Sequence, residues 1–113
     1  MKFNKGQFGN RQIIPESWIQ ACLSGGDKTP WKNGSTSDRF PEGGYRNNWY
    51  QTGNQNSAVA AIGLHGQWLY LDPIANVVNV KNSAQSNPLN VLYGPIHVAA
   101  FEEVCSHLMQ AAV

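Results

Sequence analysis

The sequence predicts an α+β fold: an antiparallel meander of about four strands, preceded by a short hairpin and packed against an N-terminal and a C-terminal helix. Three observations carry this. Four runs of strand length follow one another between residues 45 and 82, separated by Gly53, Asn54, Gly66, Asp72 and Pro73. Pro15 and Pro95 each stand where a helix opens, ahead of apolar residues at helical spacing. At 113 residues the chain is expected to form one domain, 1–113, and to bury roughly 60–70% of its unfolded surface.

Taken in order, residues 1–14 carry Gly6, Gly9 and Asn10 between apolar residues and read as short extended pieces around turns. Pro15 fits the first helical position, with Glu16 near the positive end of the helix and Trp18, Ile19, Cys22 and Leu23 on one apolar face. Ser24, Gly25 and Gly26 stop that helix, and the Gly-, Ser- and Asn-rich segment 27–44 reads as a long loop anchored by Trp31 and Phe40.

The runs Tyr45–Thr52, Ser57–Leu64, Gln67–Asp72 and Val77–Asn82 make the meander. The second is apolar on both sides, which marks a covered central strand. In the third, Trp68 and Tyr70 share one face and Leu69 and Leu71 the other. Residues 82–90 read as a polar loop, and the last helix repeats Phe101, Val104, Cys105, Leu108 and Ala112 at helical spacing.

Composition narrows the function. Apolar residues make up 42% of the chain and charged residues only 13%, so the fold is globular with an amide-rich surface. A net charge of +1 with scattered Lys and Arg provides no field for nucleic acid or acidic lipid. No apolar run approaches the roughly 20 residues that span a bilayer, and no apolar segment follows the lysines of 1–10 as in a signal peptide. A cytoplasmic location is expected. Cys22 and Cys105 lack any paired spacing and read as buried free thiols.

Sites of chemistry are scarce. His97 and His107 belong to no metal-binding pattern, so neither metal nor cofactor is expected. Glu102 and Glu103 are adjacent on a helix and point in different directions, which leaves no pair of carboxylates for glycoside hydrolysis. No serine lies in a Gly-x-Ser-x-Gly elbow, and none has a lysine one helical turn later. What remains is "AIGLHGQW", a histidine between two glycines at the junction of two apolar runs. There Gly63 permits close approach to the strand edge and Gly66 a tight turn with positive φ, so that edge N–H groups can face a ligand.

The segments "GGYRNNWYQTG" and "AAIGLHGQWLYLDPIANVVNVKNS", with "FGNRQIIPESWI" before them, resemble the C-terminal part of penicillin-recognising serine hydrolases. Within that class C beta-lactamase-like group they are similar to the 6-aminohexanoate-dimer hydrolase branch. The resemblance covers most of this chain but only about the last third of a family member, and implies a partial beta-lactamase-like fold. The family's Ser-x-x-Lys nucleophile and base, and its tyrosine motif, precede the region present here. Tyr45-Arg46-Asn47 matches the latter in letters but reads as strand.

The family's Lys-Thr-Gly motif maps onto Ala61-Ile62-Gly63, with lysine and threonine absent. The residue after it donates its backbone N–H to the oxyanion hole, which the resemblance assigns to Leu64 beside Gly63. A backbone donor is indifferent to its side chain, so the departure argues against beta-lactams and for amides or esters. Ile62, His65 and Gly66 are then candidate substrate contacts, although packing at the turn explains His65 equally well. The expected activity belongs to a complete enzyme and not to this chain alone.

The alternative is a carbohydrate- or peptide-binding module using Trp31, Trp49, Trp68 and Tyr70 with the many Asn and Gln. Apolar faces that the rest of a family member would cover, including parts of Trp49 and Trp68, suggest a homo-oligomer.

Overall fold

The computed structural model describes residues 4–89 and 91–112. Its first elements are a two-stranded ribbon, β1 (Gln7–Phe8) and β2 (Arg11–Gln12), turning at Gly9 with φ 57°. The short hairpin expected before the first helix is therefore present. Helix α1 (Glu16–Leu23) starts one residue later than the proline suggested: Pro15 sits outside it in an extended conformation, φ −53° and ψ 135°. Residue Ser24 closes the helix, its N–H donating to Gln20 O, and Gly25 turns the chain at φ 74°.

Only part of the apolar face expected for α1 is covered. Cys22 is buried, its carbonyl accepting from Gln51 Nε2 at 2.7 Å, whereas Trp18 is 54% exposed. The helix meets the sheet through its last turn, where Gln51 anchors it.

Two expectations in the middle of the chain are corrected. Segment 27–44 is not wholly loop: α2 (Lys28–Lys32) begins at Asp27, whose side chain accepts from Thr29 N–H at 2.9 Å. A single 3-10 turn follows at Ser37–Arg39. Trp31 and Phe40, the anticipated anchors, are buried and joined by a bond from Trp31 Nε1 to Phe40 O at 3.0 Å.

The run Tyr45–Thr52 is likewise not one strand but a hairpin, β3 (Gly44–Arg46) and β4 (Trp49–Gln51), folded at Asn47 and Asn48. Both asparagines have positive φ, 52° and 67°, the left-handed conformation that Asn tolerates best after Gly. Hydrophobic pattern cannot report this reversal, because the strands on either side of an even-length turn keep the same alternation.

The main sheet thus has five antiparallel strands in sequential order, β3-β4-β5-β6-β7, with β5 at Val59–Ile62, β6 at Trp68–Asp72 and β7 at Val77–Lys81. Central β5 is covered in its first half: Val59 and Ala60 are buried, as is Ala58 just before it, while Ala61 and Ile62 are half-buried. Loop 82–90 is described as far as Leu89; Asn90 lies outside the described residues.

Helix α3 (Gly94–Ala111), with Pro95 in its first turn, lies on the face of the sheet that carries Trp68 and Tyr70. Phe101 stacks on Tyr70 with centroids 5.3 Å apart and an interplanar angle of 30°, and meets Trp68 at 5.7 Å. Cys105 is buried beneath Asn79 Nδ2 at 3.5 Å. The expected apolar row does not all pack, for Val104 and Leu108 are 43% and 44% exposed and Ala112 is exposed as well. The last turns meet the loop before β5, where Asn56 Nδ2 lies 3.9 Å from Met109 Sδ.

Both cysteines are buried free thiols. Of the described helices none is long and apolar enough to cross a membrane.

Candidate functional site

The segment "AIGLHGQW" leaves β5, makes a 3-10 turn over Leu64–Gly66 and enters β6. Pairing fixes where its peptide groups point. Gly63 N–H donates to Gln67 O at 2.9 Å, so this residue faces β6. Strand alternation turns the groups of Ile62 and the N–H of Leu64 the other way, towards β4. That side is open, because the β4–β5 ladder ends at Tyr50↔Ala60 and the chain of β4 then bends into the Asn47-Asn48 turn. No hydrogen bond among the described residues uses the Leu64 N–H. Gly63 stays extended, φ −104° and ψ 174°, and a Cβ there would press on Gln67 Cβ at 3.1 Å.

The turn itself is held by the loop after β7. His65 has φ 56°; its N–H donates to Pro88 O at 3.1 Å and its carbonyl accepts from Gln85 N–H at 3.2 Å. Its ring Nδ1 lies 2.7 Å from Gln85 O, and since a carbonyl only accepts, Nδ1 carries the proton and Nε2 is left free. Gly66, at φ 79°, passes so close to Gln85 that a Cβ would come within 2.6 Å of its amide, and its carbonyl accepts from Lys81 Nζ at 2.9 Å. Gln67 adds a pair of bonds to Ser83, through Nε2 to the carbonyl and Oε1 from the N–H. Of the two readings of His65, the structure supplies partners for the structural one, while its exposed ring keeps one nitrogen for a ligand.

Beside this turn opens a cleft of about 340 Å³, lined by Ile62, Gly63, Leu64, Arg39, Trp68 and His97 among others. Four of the five residues singled out in the sequence, Ile62, Gly63, Leu64 and Gly66, therefore border one cavity; His65 is turned to the loop. Arg39 and His97 are the participants that sequence reasoning missed. Arg39 comes from the 3-10 turn of a segment read as loop, and its guanidinium lies 5.8 Å from the centroid of the Trp68 ring. His97 comes from the first turns of α3 and meets Trp68 edge-on at 5.7 Å. Burial, then the positive charges of Lys81 and Arg39, hold the His97 imidazole below its usual range and hence neutral at pH 7.

The aromatic residues weighed as a stacking surface are mostly core: Trp31, Trp68 and Tyr70 are 7%, 5% and 0% exposed. Trp49, the fourth of them, is half-buried. Among the described residues no group of three or more His, Cys, Asp or Glu side chains converges as a metal site would require.

No family model matches the chain. It is 34% identical over 88 residues to the 6-aminohexanoate-dimer hydrolase of Paenarthrobacter ureafaciens, an alignment that takes in 78% of this chain and 22% of that protein. Among solved structures it superposes on a putative 6-aminohexanoate-dimer hydrolase from Bacillus anthracis with a TM-score of 0.69 and 26% identity, over 96% of this chain and 26% of that one. The chain thus spans about a quarter of the length of the proteins it matches. In sequence and in fold it corresponds to part of a beta-lactamase-like hydrolase of the 6-aminohexanoate-dimer hydrolase branch.

Proposed function

We propose that this chain is the C-terminal segment of a serine hydrolase acting on an amide or ester, and that it supplies one backbone donor of the oxyanion hole, the N–H of Leu64. The observation that carries the reading is the open edge of β5: the Leu64 N–H has no partner among the described residues and borders a cleft of small-molecule size. A tetrahedral intermediate concentrates charge on one oxygen, and a donor already aimed at that point costs no reorganisation when the charge develops. Gly63 keeps the strand bare next to that oxygen, and the bonds of His65 and Gln67 to the loop after β7 hold the turn rigid. Ile62 and Gly66 form the walls of the substrate position.

The nucleophile and its base come from outside this sequence, since no serine here has a lysine three residues on. In isolation the chain is inactive. A chimera tests this: the chain replaces the matching segment of the Paenarthrobacter ureafaciens relative and is assayed on a chromogenic ester. Turnover is expected, and Leu64→Pro, which removes the N–H, should lower kcat by about 10²–10³-fold while Leu64→Ala leaves it near the parent value. Equal activity of Leu64→Pro and Leu64→Ala would exclude the backbone role. Serine labelling by a fluorophosphonate, with turnover, in the purified 113-residue chain would overturn its dependence on a second part.

A further inference from the structure

The turn that carries Leu64 bends through two consecutive left-handed residues, His65 at φ 56° and Gly66 at φ 79°. Such a conformation at a residue other than glycine persists only where its surroundings over-determine it. Most of the bonds that do so come from the backbone and from neutral side chains of the turn and of the loop after β7. One comes from a cation: Lys81 Nζ donates to Gly66 O at 2.9 Å. Strand register explains its reach. Lys81 ends β7 opposite Trp68, the first residue of β6, so its stem runs past the end of that strand to the carbonyl two residues before it. Lys81 is half-buried and makes no salt bridge among the described residues, where the one ion pair joins Lys5 to Glu16. A half-buried ammonium without a counter-ion carries a desolvation cost that one carbonyl offsets only in part, so stability alone is a weak reason for it.

The Gly66 carbonyl belongs to the peptide whose N–H, that of Gln67, donates to Leu64 O at 3.3 Å. Gln67 O in turn accepts from Gly63 N–H at 2.9 Å. The Leu64 backbone is thereby fixed from both sides, by Gly63 before it and by its own carbonyl after it. A charged donor on Gly66 O polarises that peptide and makes the Gln67 N–H a stronger donor, so the long bond to Leu64 O depends on the ammonium. We infer that Lys81 is a positioning residue for the hydrolysis: it holds Gly66 O and, through the Gln67 peptide, keeps the Leu64 N–H aimed at the oxyanion before substrate arrives. The inference rests on the hydrolase reading and adds to it a residue from a strand that the turn does not belong to. The charge itself acts in the same direction, because it stands beside the turn where negative charge develops and half-burial limits its screening.

Two variants, Lys81→Met and Lys81→Arg, test this with and without turnover. In the 113-residue chain, followed by NMR, Lys81→Met should speed hydrogen exchange of the Gln67 amide about tenfold relative to that of Tyr70 in the middle of β6. Lys81→Arg, which keeps the charge and the donors, should restore most of the protection. Equal acceleration at Gln67 and Tyr70 would mean a general loss of stability, and an unchanged Gln67 an idle ammonium; either overturns the inference. In the chimera Lys81→Met should lower kcat about tenfold with KM within about twofold of the parent, and Lys81→Arg should recover most of the loss. An unchanged kcat, or a change in KM alone, would overturn the role of Lys81 while Leu64→Pro still separates from Leu64→Ala. Should those two Leu64 variants prove equally active, the oxyanion role is lost to both residues. The parent chain covers the case in which no variant folds: the Lys81 ammonium should exchange with water at least about tenfold more slowly than that of exposed Lys32, and equal rates would overturn the inference.

Discussion

Gly63 N–H and Gln67 O meet at 2.9 Å, and that one bond decides which way the following peptide faces. With Gly63 committed to β6, the Leu64 N–H is presented to the open side of β5. Gly63→Ala would bring Cβ to 3.1 Å from Gln67 Cβ, which is fixed to its backbone, so the contact is relieved only by a shift of a few tenths of an ångström between the two chain segments. We expect the variant to fold and the Leu64 amide resonance to shift more than that of Ala60. In the chimera its kcat should fall about tenfold for a displaced donor. An unchanged Leu64 resonance would mean that the glycine is there for some reason other than this geometry.

The turn that splits the first long run rests on two asparagines with positive φ. Placing a β-branched residue in that conformation costs about 1–2 kcal/mol, so Asn47→Val should lower Tm by several degrees while Asn47→Gly stays within about 0.5 kcal/mol of the parent. Thermal denaturation followed by circular dichroism separates them; equal midpoints would argue against the hairpin.

Two apolar residues of α3 that look equivalent in sequence should behave very differently. Phe101 is 8% exposed and packs on Tyr70 and Trp68, so Phe101→Ala should cost about 3–5 kcal/mol. Leu108 is 44% exposed, and Leu108→Ala should cost about 0.5 kcal/mol or less. Chemical denaturation of the two variants gives the comparison, and similar losses would mean that Leu108 is buried in solution.

Tyr70 gives the fold an alkaline limit. Burial first, then the charge of Glu102, pushes its phenol well above the ordinary value, while Asn54 Nδ2, bonded to the hydroxyl at 3.1 Å, works in the opposite direction. The folded state thus keeps a proton that the unfolded chain gives up from about pH 10. Its contribution is complete below that pH and is lost as pH rises towards the folded value. Cys105, whose thiol is pushed up by burial and by Asp72, acts in the same sense from about pH 8.5. Denaturation midpoints should therefore fall steeply above about pH 10 in the parent and less steeply in Tyr70→Phe. Identical slopes would show that Tyr70 ionises freely in the fold.

Association follows from surfaces that this chain does not cover. Val78 and Val80 on β7 are 49% and 66% exposed, and Val104 and Leu108 crown the outer side of α3. β7 is also an edge strand of the sheet. Uncovered apolar faces next to a free edge favour pairing, so we expect the isolated chain to self-associate at tens of micromolar. Sedimentation equilibrium would show a dimer or larger; a well-behaved monomer over that range would contradict it.

Much of this protein is written locally. Pro15, Pro95, the Gly25-Gly26 stop and the alternation of "WLYLD" each act through nearest neighbours, so both long helices and strands β5 to β7 can be read one window at a time. Gly63 and Gly66 are legible for the same reason, as positions where a side chain would obstruct. The Asn47-Asn48 reversal was missed because it leaves the hydrophobic pattern intact, and α2 because one five-residue turn carries too few apolar residues to show a period. What only the tertiary structure decided is the meeting of Arg39, Trp68, His97 and Leu64 around one cleft. Leu64 and Trp68 are neighbours in one turn and strand, but Arg39 and His97 come from a turn and a helix distant from them in sequence, and no local rule couples the three segments. Their juxtaposition comes from laying α3 across β6 and folding residues 37–39 against the start of that helix, where packing and the absence of a Gly94 side chain set the distances.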